Sequence, residues 1–309
     1  MKIAITGANG FIGQHVVNAA LSAGHNVLAV VRNAVPEAWQ SNDALDILRC
    51  DLCDTDSPQR LADALQGYEA IIHLAAVMQG HNQYTDTITA TKNVLSAAKT
   101  ARVTRLIDLS SISVLNYQSK APMSVIDENT AMQTIDSALG QYAKMKRDQE
   151  NLCMQWHDES HELIILRPGL VYDATQLSNA HAGFKMLASL HAGEVPAVHV
   201  VDVANACVLA AENTEVKNSV IHLTNDSLPK QSAYLEKLKQ KGFIGTTIPL
   251  PWQIYAVLMT ILRFHLKLIE KVPDGVRKNS VNARHTPFLF SNEKAKTLLH
   301  WQPRPSLND

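Results

Sequence analysis

The chain has 309 residues, of which 46% are hydrophobic, and its formal net charge is −1. That length suffices for one large domain, or for a domain with a smaller partner. The near-neutral charge balance argues against a nucleic-acid-binding protein, and no block of like charge indicates a tail. Four cysteines are too few for a disulfide framework and favour a reducing compartment.

The first apolar run ends within a few residues in glycine-rich sequence, so it is too short for a signal-peptide core. The most apolar stretch, 254–262, has about half the length that a membrane-spanning helix needs. We therefore expect a soluble cytoplasmic protein without an integral membrane segment.

Short apolar segments alternate with segments of helical spacing through the first two-thirds of the chain. This alternation predicts βαβ units in a doubly wound α/β fold of the Rossmann type, with a parallel sheet covered on both faces. The predicted strands are 3–5, 27–31, 47–48, 70–74, 106–109, 163–166 and 220–223. The predicted helices are 14–23, 58–65, 87–100, 139–157, 231–242 and 252–271.

A glycine-rich segment, 6–13, follows the first predicted strand and opens the first predicted helix. Gly7 permits a tight turn, Gly10 lets phosphates approach the backbone, and Gly13 lets helix and strand pack closely. The helix N-terminus then faces the negative charge of a pyrophosphate. The alternative is an ordinary strand–turn–helix. We interpret the segment as a dinucleotide-binding loop whose contacts come from Gly7, Asn9, Gly10, Phe11, Ile12 and Gly13.

The end of the second predicted strand bears on the choice of cofactor. Val30-Val31-Arg32-Asn33 contains no carboxylate to bind a ribose 2′-hydroxyl, and Arg32 can meet a 2′-phosphate as a forked donor. This favours NADP over NAD, although Arg32 also fits a solvated surface arginine. Asp51 is placed to meet the adenine amino group and Leu52 to pack on its ring; alternatively, Asp51 is a cap or turn residue.

Tyr142 and Lys146 lie four residues apart in a predicted helix, so both point to one side of it. A lysine ammonium beside a phenol lowers the phenol pKa, and Tyr142 can then exchange a proton with a substrate oxygen. Ser110 and Ser111 follow strand 106–109 at the sheet edge where ligands bind. Alone, the Tyr–Lys spacing also fits a solvated helix face.

In this order the motifs resemble those of the extended short-chain dehydrogenase/reductase family, which is of the NAD-dependent epimerase/dehydratase type. The matching segments are 6–13, 51–52, 73–76, 110–111, Tyr142 with Lys146, 166–172, 199–204 and 298–303. The resemblance implies an enzyme with a Rossmann domain, a bound nicotinamide cofactor and a small variable C-terminal domain. We expect 1–168 plus 198–225 to form the dinucleotide-binding domain, and 169–197 plus 226–309 the substrate-binding domain.

The resemblance also implies roles for individual residues. Ser111, Tyr142 and Lys146 would be catalytic, with Lys146 also holding the nicotinamide ribose. The remaining implied contacts are Ala75 and Ala76 in the cofactor groove, Pro168, Gly169 and Val171 near the nicotinamide, and Ser113 and Met78 at the substrate.

The sequence is nearest the dihydroflavonol reductase and 3β-hydroxysteroid dehydrogenase branch. We therefore expect an NADP(H)-dependent oxidoreductase that transfers a hydride to or from a carbonyl or alcohol carbon of a small apolar substrate, with Tyr142 as the acid/base. Leu115-Asn116 replaces the usual Tyr-Gly, and Asp173 stands where Gly is common, which leaves the substrate class open. The alternatives are a nucleotide-sugar epimerase or dehydratase with tightly held NAD(P), and a catalytically idle NADP(H)-sensing regulator.

Other features have simpler interpretations. Cys50 and Cys53 lack a second cysteine pair of matching spacing, so we expect no metal site. His199 is expected to make a structural hydrogen bond. Helix 252–271 has a wide apolar face, which fits core packing, a lid over an apolar substrate or contact with a membrane surface. By the resemblance, helices 87–100 and 139–157 would pair with their copies. Both carry apolar residues beyond one face, so we expect a symmetric homodimer.

Overall fold

The computed structural model describes residues 1–39, 42–78, 81–117, 120–134, 140–177, 187–190, 193–242, 248–268 and 278–304. Its strands are β1 (Lys2–Thr6), β2 (Asn26–Val31), β3 (Leu45–Arg49), β4 (Ala70–His73), β5 (Arg105–Leu109), β6 (Val125–Ile126), β7 (Glu162–Pro168), β8 (Leu170–Tyr172), β9 (Leu187–Leu190), β10 (Ala197–His199), β11 (Ser219–Leu223), β12 (Ile248–Pro251) and β13 (Leu289–Phe290). Its helices are α1 (Phe11–Ser22), α2 (Ser57–Ala64), α3 (Gln83–Ala101), α4 (Gln141–Trp156), α5 (Val200–Glu212), α6 (Gln231–Gln240), α7 (Trp252–Leu268), α8 (Lys278–His285) and α9 (Glu293–Leu299).

Seven strands form one parallel sheet in the order β11-β7-β5-β4-β1-β2-β3. This arrangement confirms the predicted doubly wound Rossmann-type fold. The strand order reverses between β1 and β4, whose last residues, Thr6 and His73, are paired in register. In open α/β sheets a crevice forms at the carboxyl ends of the strands flanking such a reversal, and ligands bind there.

Helices cover both faces of the sheet. On one face, Val16 of α1 and Val203 of α5 belong to a core cluster that also includes Ile3 and Ile5 of β1. On the other face, Ala4 joins a cluster formed with residues of α2, α3 and α4, among them Leu61, Val94 and Trp156. Because both sides of each strand are buried, the strands are almost continuously apolar, which is why they could be recognised in the sequence.

Three short two-stranded pairs lie outside the main sheet: β10 with β8, β12 with β9, and β13 with β6. These strands, α8 and α9 are absent from the sequence prediction, whereas β11 and α6 lie where it placed them. Predicted helix 252–271 corresponds to α7; residue 139 and residues 269–271, at the ends of predicted helices, lie outside the described residues. The division into two domains stays a prediction.

Helix α7 packs one side against the protein. Tyr255 and Met259 are buried, and together with Val281 of α8 they form a small core cluster, which fits the core-packing interpretation of the sequence pattern. Within the described ranges, no helix is both long and apolar enough to cross a bilayer. The lid and membrane-surface interpretations of α7 stay predictions.

The outer surface of α3 bears on the predicted homodimer. Its exposed positions include Thr85, Thr89, Lys92 and Ser96, all of them polar. The apolar residues of this helix point inwards, as Val94 and Leu95 do. Tyr84 and Ile88 of α3 are half-buried, while its fully exposed positions are polar, and the homodimer stays a prediction.

Candidate active site

A cavity of about 1260 Å³ opens at the carboxyl edge of the sheet, between the loop after β1 and the first turn of α4. Every residue predicted to bind cofactor, catalyse the reaction or touch substrate lines it. These residues are Gly7, Asn9, Gly10, Phe11, Ile12, Gly13, Arg32, Asp51, Leu52, Ala75, Ala76, Met78, Ser111, Ser113, Tyr142, Lys146, Pro168, Gly169 and Val171. The structure thus brings all of them together, while their individual roles remain predictions.

Two glycines of the loop, Gly7 and Gly13, are packed so closely that neither position has room for a side chain. Gly7 has a φ of +67°, and a Cβ there would lie 2.9 Å from the backbone nitrogen of Ala75. A Cβ on Gly13 would lie 2.2 Å from the carbonyl oxygen of Gly7. The loop turns directly into α1, whose unpaired N-terminal amides adjoin the cavity. This backbone cradle fits the pyrophosphate of a dinucleotide.

The adenosine end of the cavity is formed by the segments after β2 and β3. Arg32 is exposed on the cavity wall directly after the buried Val31. The Oδ1 atom of Asp51 accepts a hydrogen bond of 3.0 Å from the backbone N–H of Cys53, which is the turn role left open by the sequence. Burial and the Asp51 charge raise the pKa of the Cys53 thiol, and Arg32 partly offsets them.

Ser111 and Tyr142 meet at the other end of the cavity. Ser111 follows β5, and its Oγ accepts a hydrogen bond of 3.2 Å from the backbone N–H of Ser113. Tyr142 lines the cavity, and loss of hydration raises its pKa. A hydrogen bond between the Ser111 and Tyr142 side chains lowers the pKa in part. The pair presents two hydroxyl groups to one point in the cavity.

The Lys146 ammonium is buried and hydrogen-bonded within the protein. Its Nζ donates to the carbonyl oxygen of Leu109 at 2.8 Å and to Oε1 of Gln149 at 3.1 Å. Burial raises the Tyr142 pKa in this structure, and the lowering effect assigned to Lys146 stays a prediction. Burial lowers the pKa of Lys146 itself, and Asp108 opposes that shift.

Behind Lys146 lies a buried carboxylate that sequence reasoning missed. Asp108 of β5 is fully buried, and its Oδ1 accepts a hydrogen bond of 2.7 Å from Nε2 of Gln149. Gln149 thus bridges Asp108 and Lys146. Burial raises the pKa of Asp108 to about 6, and Lys146 counteracts that rise. A charged residue inside an apolar strand, Arg-Leu-Ile-Asp-Leu, was the available signal.

A second buried group fixes α4 to the sheet. Glu150 accepts a hydrogen bond of 2.6 Å from Ser110 Oγ and another of 3.1 Å from Nε of Arg167. A further Arg167 nitrogen pairs with the other carboxylate oxygen. Glu150 lies four residues after Lys146, so the helix spacing that linked Tyr142 to Lys146 extends to it. The contact joins α4, β5 and β7 directly beneath Ser111.

His73 is buried at the switch point, at the end of β4. Its Nδ1 lies 2.8 Å from Thr6 Oγ1, and its Nε2 lies 3.1 Å from Thr91 Oγ1. The imidazole is fully buried, and burial lowers its pKa to about 3. His73 is thus neutral and connects β1, β4 and α3. His199, as predicted, makes a structural hydrogen bond, because its Nδ1 accepts from Val201 N–H at the start of α5.

A family model described as "NAD dependent epimerase/dehydratase family" matches residues 3–223. The match spans the parallel sheet and the whole of the cavity edge described above. It confirms the resemblance found in the motifs.

Two characterised relatives illustrate the range of similar proteins. A 2-alkyl-3-oxoalkanoate reductase of Stenotrophomonas maltophilia is 28% identical over 176 residues, which cover 56% of this chain and 51% of the relative. The match thus spans about half the length of that protein. A decarboxylating sterol-4-alpha-carboxylate 3-dehydrogenase of Mus musculus is 25% identical over 330 aligned positions, covering 100% of this chain and 88% of the relative.

Among solved structures, the chain is similar to a UDP-glucuronic acid 4-epimerase from Bacillus cereus in complex with UDP-glucuronic acid and NAD. The TM-score is 0.70 at 22% identity, with 99% of this chain and 95% of that chain covered. At this identity the likeness shows the shared fold.

Proposed function

Because the chain belongs to the NAD dependent epimerase/dehydratase family and is an NAD(P)-dependent oxidoreductase, we propose a more specific activity. It is an NADP(H)-dependent reductase or dehydrogenase that acts on a carbonyl or alcohol carbon of an apolar substrate. The observation that carries this proposal is one cavity lined both by the glycine loop and Arg32 and by Ser111, Tyr142 and Lys146. A dinucleotide bound at the glycine loop and Arg32 would extend towards Ser111, Tyr142 and Lys146.

Arg32 supports the choice of NADP. It is the first residue after β2, it is exposed on the cavity wall, and the segment 30–34 that lines the wall there contains no carboxylate. A 2′-phosphate would gain a charge-assisted hydrogen bond from the guanidinium. An acidic residue at this place would instead select NAD by binding the ribose hydroxyl and repelling the phosphate.

The residues opposite the glycine loop support the proton chemistry. The nicotinamide, when bound, supplies or takes the hydride. Tyr142 gives its hydroxyl proton to the carbonyl oxygen during reduction, and takes it back during oxidation. Ser111 holds the same oxygen by a hydrogen bond. A tyrosine hydroxyl carries its proton at neutral pH, so Tyr142 is in the form that donates a proton.

The character of the cavity wall and the names of relatives support an apolar substrate. Part of the cavity wall is formed by apolar side chains, namely Val77, Met78, Ile112, Tyr117, Leu170 and Pro196. Met78 is 59% exposed there, so a large apolar surface faces the open cavity. The alkyl oxoalkanoate and the sterol named for the two relatives above are also lipid-like molecules.

The test is turnover on a panel of substrates with NADPH and NADH. The panel contains a long-chain 3-oxoalkanoate, a 3-ketosteroid, a short polar ketone and UDP-glucose. The proposal predicts NADPH oxidation with an apolar ketone. Interconversion of the UDP-sugar without net cofactor consumption would replace it by the epimerase alternative. Tight cofactor binding with no turnover of the panel would favour a sensing protein.

A further inference from the structure

Three polar side chains lie side by side at the carboxyl ends of neighbouring strands. Thr6, His73 and Asp108 are in register on β1, β4 and β5, and all three are fully buried. Thr6 and His73 contact each other, and Thr91 of α3 meets the second ring nitrogen of the histidine. Asp108 differs from the other two because a carboxylate away from water is costly unless it is paired and hydrogen-bonded. It therefore depends on partners from α4.

Gln149 of α4 connects Asp108 to the Lys146 ammonium. Its Nε2 donates to Asp108 at 2.7 Å, and its Oε1 accepts from Lys146 Nζ at 3.1 Å. A carboxylate only accepts and an ammonium only donates, so an amide can serve both groups at once. All three side chains are buried. The position of the ammonium is thus set from β5 as well as from α4.

The other ionisable groups around Asp108 and the ammonium have different partners or carry no charge. Glu150 is paired with Arg167. His73 is neutral because burial lowers its pKa to about 3, and burial keeps the Cys153 thiol protonated by raising its pKa well above the ordinary value. The pKa of Asp108, raised by burial to about 6, leaves it charged at neutral pH. In the part of the chain that the structure describes, Asp108 is therefore the carboxylate left to balance the ammonium.

Lys146 keeps one donor for the cavity. An ammonium has three N–H donors, and among the described residues two of them are taken, by the carbonyl oxygen of Leu109 and by Gln149. Because Lys146 also lines the cavity, its third N–H is available to a ligand bound there. The two contacts inside the protein fix the direction of that third donor.

We propose that Asp108 is a positioning residue for Lys146: through Gln149 it holds the ammonium in place, and its charge keeps the ammonium protonated for contact with the nicotinamide ribose of the cofactor. This rests on the proposed function, because Lys146 meets a ribose only if a nicotinamide dinucleotide binds in the cavity. Burial lowers the Lys146 pKa, and Asp108 is the strongest opposing influence. Without the Asp108 charge, the ammonium would lose its proton to solvent at a lower pH.

The experiment is titration of NADPH into the full-length protein at a series of pH values from about 7 to about 10.5. Binding is measured instead of turnover, and every protein also carries Tyr142→Phe, so that this tyrosine does not titrate. Asp108→Asn keeps the shape of the side chain and an acceptor oxygen while removing the charge. The pH at which NADPH affinity falls should drop by at least about one unit, the usual effect of losing a nearby opposite charge.

A second variant returns the charge at a different residue. Adding Gln149→Glu to Asp108→Asn provides a carboxylate at the position that now accepts from Lys146, so the fall in affinity should move back to the pH of the parent or above it. A merely structural role of Asp108 would not be rescued in this way. The matched control is Asp63→Asn, since Asp63 accepts a hydrogen bond of 2.8 Å from Gln59 at an exposed site on α2. It should leave the pH of the fall unchanged.

Gln149→Met tests the connection between the two groups without changing any charge. It removes one acceptor of the ammonium and should weaken NADPH binding about tenfold at neutral pH, whereas Gln59→Met should not. This variant also decides the matter if circular dichroism shows that Asp108→Asn does not fold.

Two results would overturn the positioning role while leaving the proposed function in place. One is a fall in affinity at the same pH in folded Asp108→Asn as in the parent. The other is parental NADPH affinity in Gln149→Met. Failure of the wild type to bind either NADPH or NADH would instead overturn the proposed function, and this role with it.

Discussion

The glycine loop and α7 both leave surface uncovered, and they do so in opposite ways. In the loop, side chains are missing where a Cβ would meet backbone, so the chain presents polar amides to a concavity. On α7, large side chains are present that packing does not require, so the chain presents apolar surface to solvent. The first is constrained by the fold on every side. The second is constrained only by what lies outside the molecule.

This difference indicates which properties of the protein a substitution should change in each region. Around the cavity, single atoms are fixed by close contacts, and their removal affects chemistry, cofactor binding or folding. At the exposed apolar positions of α7, such as Ile261, substitutions leave the internal contacts intact. The following predictions test that contrast.

The largest effect is expected from Tyr142→Phe, which removes one hydroxyl and keeps the ring. Turnover should fall by about 10²–10⁴-fold, the range associated with a positioned acid–base group. Cofactor affinity should be kept, because the glycine loop is untouched. Steady-state kinetics with parallel cofactor titration measures both quantities.

Tyr68→Phe is the control for that change. It removes a hydroxyl that donates to Asp46 at 3.2 Å and is not part of the cavity lining. It should leave turnover unchanged. Near wild-type turnover in Tyr142→Phe would show that another group donates the proton, and the contrast between the cavity and α7 would lose its chemical basis.

The next effect concerns two glycines of one loop. Gly13→Ala forces a Cβ to within 2.2 Å of the Gly7 oxygen, and should lower the free energy of unfolding by about 1–3 kcal/mol, as overpacking does. Gly10→Ala meets a single atom, at 3.1 Å. It should affect stability less and cofactor affinity more, because the added methyl group occupies the phosphate cradle. Denaturant unfolding and cofactor titration separate the two.

The exposed Ile261→Ala on α7 completes this comparison. Because Ile261 is 52% exposed, its truncation should change stability by no more than about 0.5 kcal/mol. Equal losses of stability in Gly13→Ala and Ile261→Ala would mean that α7 is packed as tightly as the loop.

The same contrast explains what the sequence could reveal. Three parts of the site were predictable from local sequence patterns: the glycine loop, the Ser111 segment and the Tyr142–Lys146 spacing. Each pattern determines either the shape of the backbone or the side of a helix on which residues lie. Asp108 and Gln149 were missed because their meaning depends on β5 lying beside β7 and beneath α4. The polar outer side of α3 was missed for a related reason, since apolar content alone does not tell which side of a helix the neighbours cover.

The short strands after Pro168 show the limit most clearly. β8, β10, β9 and β12 have three or four residues each. Such segments are too short for periodicity to distinguish them, and they become strands through partners distant in the chain. The large parallel sheet needed no such information, because burial on both faces made its strands continuously apolar.

A smaller effect is expected at the adenosine end of the cavity. Arg32→Ala removes the proposed donor to the 2′-phosphate and should weaken NADPH by about 1–3 kcal/mol, with little change for NADH. Isothermal titration with each cofactor gives both affinities. Lys99→Ala, an exposed cation on α3 away from the cavity, controls for net charge. Equal affinity of the wild type for the two cofactors would remove NADP from the proposal.

The last prediction concerns acid stability and the switch point. Burial lowers the folded-state pKa of His73 from 6.5 to about 3. The unfolded chain takes up a proton below about pH 6.5, whereas the folded chain does not, so stability is full above that pH and is lost as the pH falls towards 3. For one such histidine the limiting slope is about 1.4 kcal/mol per pH unit. His73→Gln should flatten the slope of unfolding free energy against pH by up to that amount, between about pH 6 and 4.

His222 provides a second test of the same linkage in a different setting. Its pKa is also lowered to about 3 by burial, but within the described residues neither of its ring nitrogens has a hydrogen-bond partner. His222→Gln should therefore flatten the slope as His73→Gln does, with a smaller loss of stability at pH 7, because it breaks no contact like those of His73 with Thr6 and Thr91. His81→Gln, at an exposed position, should leave the slope unchanged. A wild-type slope that persists in both buried variants would show that neither imidazole is kept neutral by the fold.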